Sequence, residues 1–102
     1  AVAVDYDSAF EADVMSGASA FVCDNRNQYL WTQEQGHYFQ QGYPTEEQIL
    51  GDMGHLCAGL RKASTKGRRG AVLMGIASHD VLTANLIHEK ALTRGLGTVV
   101  DI

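Results

Sequence analysis

Seven consecutive residues from Ala71 to Ala77, AVLMGIA, are apolar or glycine. A strand with one solvated face alternates, whereas an unbroken apolar run of this length is the pattern of a strand buried on both faces. Such a strand lies inside a sheet with a layer on each side, and this restricts the chain to an α/β architecture in which 71–77 is central.

The flanking segments fill out that architecture. Residues 1–5 predict a short buried strand, and DYDSAFEADVMSG predicts a brief helix with Asp7 or Ser8 as N-cap and Gly17 as terminator. ASAFVCDNRNQYLWT contains two β-prone runs around Asp24-Asn25-Arg26-Asn27, a turn composition, and predicts a β-hairpin. QEQGHYFQQGYP is polar and aromatic with two glycines and predicts a loop. In PTEEQILGDMGHLCAGLRKAS, Thr45 and Gln48 form a capping box, and Glu46, Glu47, Arg61 and Lys62 complement the helix dipole. Ile49, Met53, Leu56 and Leu60 fall on one stripe, so a helix is predicted. Its glycines, Gly51, Gly54 and Gly59, each cost about 1 kcal/mol there and imply close packing. The segment from Ser78 to Gly95 has apolar residues all round the helical wheel. Its ends nevertheless predict a buried helix, with Ser78 or Asp80 at the start and Gly95-Leu96 as a Schellman stop; a hairpin strand at 81–87 is the alternative. TVVDI predicts a last strand. The expected order is β-α-β-β-α-β-α-β, a small two-layer or three-layer α/β sheet with an inserted hairpin in a single domain over 1–102.

Length and charge narrow the classes of function. A chain of 102 residues can bury a core without staples. A net charge of −4 argues against general nucleic-acid binding and against an anionic membrane surface. No apolar run approaches the ~18 residues of a membrane span. Two cysteines, Cys23 and Cys57, are too few for a disulfide scaffold and point to a reduced, cytoplasmic protein.

In open α/β sheets ligands bind outside the carboxyl ends of the strands. AVAVDYD, VLMGIASHD and TVVD end in acids or small polar residues, so parallel pairing would gather Asp5, Asp7, Ser78, His79, Asp80 and Asp101 at one edge. The alternative is that Asp7 and Asp80 cap helices and the others are solvated strand ends. Ser78, His79 and Asp80, with Trp31 and Tyr38, are the candidate ligand-binding set. Arg61, Lys62, Lys66, Arg68 and Arg69 are five of the eight basic residues and form a candidate patch for a small anion or an acidic protein partner. The aromatic stretch from Tyr29 to Tyr43 could line a pocket or an oligomer face. His55 and Cys57 are two apart on the predicted helix and point roughly 160° apart, so they cannot chelate one ion. The preferred reading is a self-associating regulatory or ligand-binding accessory protein that forms a homo-oligomer.

Two local resemblances bear on function. An apolar strand ending Asp-x-Asp, here AVAVDYD, followed by one ending in Ser, here AVLMGIAS, resembles the first two motifs of the haloacid dehalogenase-like phosphohydrolases. That resemblance implies a Mg²⁺-dependent phosphoryl-transfer hydrolase with Asp5 as nucleophile and Asp7 as general acid/base. Both acids would hold the metal, and Ser78 would hydrogen-bond the phosphoryl group. Ser8-Ala9 stands where the family has Gly-Thr, and no third Asp-rich motif follows in these 102 residues. GYP with the later ASHD is similar to the closing segments of proline dehydrogenases. That similarity implies a flavin-binding barrel, a fold of more than about 200 residues.

Overall fold

The computed structural model describes residues 1–100. Four parallel strands form one sheet: β1 (Val2–Val4), β2 (Ala20–Cys23), β3 (Ile49–Asp52) and β4 (Arg69–Leu73), in the order β1-β4-β2-β3. Four helices alternate with them: α1 (Ala12–Ser16), α2 (Arg26–Glu34), α3 (Met53–Cys57) and α4 (Ala77–Arg94). The α/β class holds and β4 lies between β1 and β2, but only residues 71–73 of the apolar run are strand: residues 74–76 leave the sheet and Ala77 begins α4. Neither the closed barrel nor its sequential strand order is present among the described residues.

One face of the sheet carries the core. Ala3, Phe21, Cys23 and Val72 point into a layer made by Met15 of α1, Tyr29 of α2, and Phe39 and Tyr43 of the loop that follows α2. Tyr29 and Phe39 stack with centroids 4.4 Å apart, and Tyr29 donates its hydroxyl to the Pro44 carbonyl at 2.9 Å. That bond satisfies a buried phenol that would otherwise lose its partner water. The loop is held by Gln33, whose Nε2 donates to the Phe39 and Pro44 carbonyls, and by Gln40, whose Nε2 donates to the Gln33 and Tyr38 carbonyls.

The second half of the expected hairpin is the helix α2. Asn25 starts it: its side-chain oxygen accepts from Gln28 N at 2.9 Å, the N-cap bond that a turn composition also provides for. The helix expected from Thr45 is divided. Gln48 Oε1 accepts from Thr45 N at 3.0 Å, as a capping box requires, but only a single 3-10 turn, Glu46–Gln48, follows. The chain then enters β3, because β2 needs a parallel partner for its backbone and Gly51, at φ 157°, takes a conformation outside the helical range. Gly59 has φ 72° and stops α3, with Leu60 N donating to the His55 carbonyl and Gly59 N to Leu56. The glycines therefore mark a strand and a helix end rather than close packing within a long helix.

Gly17 ends α1 as expected, but Glu11 rather than Asp7 or Ser8 precedes its first turn. α4 ends in the expected Schellman stop, Leu96 N to the Ala91 carbonyl and Gly95 N to Leu92, yet it is not buried: every residue except half-buried Ala91 is exposed. Neither Ser78 nor Asp80 caps it; Ile76 occupies the N-cap position. Residues 98–100 are not a strand, and Asp101 and Ile102 of the expected strand TVVDI lie outside the described residues. No helix among the described residues is long and apolar enough to cross a membrane.

Candidate functional site

Parallel strands put their carboxyl ends on one edge, and three of the four end in aspartate: Asp5 after β1, Asp24 after β2 and Asp52 closing β3. Asp24 is 6% exposed. Its Oδ2 accepts from Gly75 N at 2.6 Å and its Oδ1 from Asn25 N at 3.0 Å, so it ties the exit of β2 to the exit of β4. Asp52 Oδ1 accepts from Arg26 N at 2.6 Å and ties β3 to the start of α2. Both carboxylates thus satisfy backbone N–H groups where strands give way to helices. Their charge reaches Cys23: burial first, then Asp52 and Asp24, pushes its thiol from 9.0 up to about 12. A thiol so placed is a small core residue rather than a nucleophile.

Asp5 and Ser78 follow adjacent strands, and Asp5 N extends the ladder by donating to the Leu73 carbonyl at 3.1 Å. Asp7 is drawn elsewhere. Its Oδ2 accepts from Phe39 N at 2.7 Å, which holds Phe39 at φ 56°, a left-handed conformation costly for a bulky residue. The Tyr43 hydroxyl donates to the Phe10 carbonyl beside the Asp7 carbonyl, and burial, then Asp7 and Glu11, raises its pKa. Around these groups lies an open cavity of about 610 Å³, its wall made by residues 7–12 with Gly36, His37, Gln40 and Gln41. The expected Mg²⁺ pair is therefore not equivalent, since one oxygen of Asp7 is already spent on the loop. Among the described residues no group of three or more His, Cys, Asp or Glu could hold a metal ion.

The ligand-binding set is dispersed over several elements. Ser78, His79 and Asp80 are exposed on the first turn of α4; Trp31 is 62% exposed on α2; Tyr38 packs against Tyr6 in a tilted pair with centroids 4.5 Å apart. The basic loop is shaped by backbone bonds. Ser19 N and Oγ donate to the Arg68 carbonyl at 2.8 Å, and a Cβ on Gly67, φ 83°, would meet Ser19 Oγ at 2.6 Å. Lys62, Lys66, Arg68 and Arg69 remain exposed, while Arg61 borders a cleft beside β3. Asp24 and Asp52 were not singled out as edge residues from the sequence. Their signal is the recurrence of an apolar run closed by Asp, in VAVD, FVCD and ILGD. No protein-family model matches the chain, and no curated protein matches it.

Proposed function

We propose that this chain is a self-associating α/β protein in which α4 of one copy covers the outer face of the sheet in a second. Its accessible surface is 7475 Å², about 1,800 Å² more than the ~5,700 Å² of a compact monomer of 11.1 kDa. That excess carries the reading. A standard interface takes about 800 Å² from each partner, and obligate homodimers take more. The radius of gyration agrees, at 17.2 Å against about 13 Å for a compact chain of this length.

The excess is concentrated where a partner fits. Parallel sheets are covered on both faces, but Val2 and Val4 of β1 are exposed, and a hollow of about 180 Å³ opens among Val2, Ala20, Val22, Leu56 and Ala71. α4 offers Val81, Leu82, Leu86, Ile87 and Leu92, all more than half exposed. Most helical stability in proteins comes from packing of an apolar face rather than from propensity, so α4 itself gains from being covered.

Sedimentation equilibrium tests the reading. The wild type is expected as a dimer or larger, and the Leu86→Asp/Ile87→Asp variant as a monomer with its near-ultraviolet aromatic signal unchanged. A wild type that stays monomeric at every concentration rules it out. In a second reading, a phosphoryl-transfer role with Mg²⁺, the adjacency of the β1 and β4 exits favours Asp5 alone, since Asp7 is bonded to the Phe39 amide and Ser78 lies in α4. Its direct test is phosphomonoester hydrolysis by wild type and Asp5→Asn.

A further inference from the structure

We infer that the cleft beside the edge strand β3 binds a small organic oxyanion, a carboxylate or phosphate carried on an apolar body, through Arg61, Arg26 and His55. The cleft has a volume of about 480 Å³ and is bordered by Ile49, Leu50, Gly51 and Leu60 together with those three basic residues. Ligand cavities fall between about 300 and 1,000 Å³, with apolar walls and a few placed polar groups.

Each basic group is positioned differently. Arg26 is in the first turn of α2, its backbone N–H bonded to Asp52 and its Nη2 paired with Glu46 at 2.5 Å, so the remaining guanidinium donors are held in place. His55 Nδ1 accepts from Asp52 N at 3.2 Å, which leaves the proton of the neutral ring on Nε2 as a donor. Arg61 has no carboxylate within 4.0 Å among the described residues. Unlike Arg26 in the same cleft it is left to pair with a ligand, and a guanidinium pairs with carboxylate or phosphate through two parallel bonds. Gly51 completes the floor. A Cβ there would touch Arg61 Cγ at 3.4 Å and His55 Nδ1 at 3.6 Å, ordinary contact distances, so Gly51 lies between the two side chains. Glu46 and Asp52 face the same groups and are already engaged by Arg26 and by the backbone. The lining is mainly polar, and Leu60, 71% exposed at its border, is the apolar contact that favours an anion carrying hydrocarbon over a bare ion.

The test is an NMR titration at constant ionic strength with inorganic phosphate, acetate and benzoate, following the His55 ring and the Arg61 side chain. Saturable shifts are expected, with benzoate binding more tightly than acetate. Arg61→Ala, an exposed position checked for folding by circular dichroism, should weaken binding tenfold or more. Arg69→Ala, outside the cleft, should leave it unchanged. The phosphate and carboxylate arms separate the two headgroups. Shifts that never saturate, or equal losses in the two variants, would show only diffuse charge attraction and overturn the assignment.

Discussion

The two faces of the sheet differ in how completely they are closed. On one, Tyr29, Phe39, Met15 and Val72 are at most 1% exposed, and every buried side-chain nitrogen or oxygen among the described residues has a partner. On the other, β1 exposes both valines and α4 lies almost wholly in solvent. Large aromatics and a loop held by side-chain amides close the first face within one chain; small residues and a hollow leave the second open. Stability and association should therefore respond to different residues.

The largest effect should come from the closed face. Tyr29→Ala removes a buried ring and the bond to Pro44, and is expected to cost about 3–5 kcal/mol in urea unfolding, a large part of a typical domain's stability. High pH attacks the same face. The native thiol of Cys23 keeps its proton to about 12 whereas the unfolded chain loses it near 9.0, so unfolding releases protons and stability falls as pH rises through that window. The raised pKa values of Tyr29 and Tyr43 act in the same direction. The urea midpoint should thus drop between about pH 9 and about pH 12; a flat profile would mean that these groups are wet.

At the edge joining the faces, Asp24→Ala strands the Gly75 and Asn25 N–H groups and should cost about 2–3 kcal/mol by the same measurement. Asn25→Ala loses one helix cap, for about 1 kcal/mol. The smallest effect on unfolding belongs to the open face. Ile87→Asp should change the stability of a dilute monomer by less than about 0.5 kcal/mol, yet lower the sedimentation mass at high concentration. If it unfolded the monomer instead, α4 would belong to the core and the contrast between the faces would fail.

Much of the fold could be read locally. The interior strand at the start of the Ala71 run, the helix stop at Gly95-Leu96, the terminator Gly17 and the Thr45–Gln48 capping box depend on neighbours three to six residues away, and these appear, though the strand ends at Leu73 and the capping box opens only one 3-10 turn. The segments 26–34 and 49–57 could not be read in this way. Asn25 serves a turn and a helix cap equally, and the Ile49 stripe fits a helix until β2 recruits it as a strand. The candidate site was legible only in part: Asp5 does follow β1, but Ser78 lies in the first turn of α4 rather than at the end of β4, and Asp7 is held by the Phe39 amide 32 positions away.

The sequence by itself determined the α/β class, the interior strand and the C-terminal stop of the longest helix, because burial pattern and capping chemistry are short-range properties. Only the tertiary structure decided which aspartates bind backbone, where Arg61 sits relative to Arg26 and His55, and that α4 is left uncovered. Those outcomes depend on strand order and on surface that other parts of the chain either reach or leave bare, and no local pattern of residues encodes them.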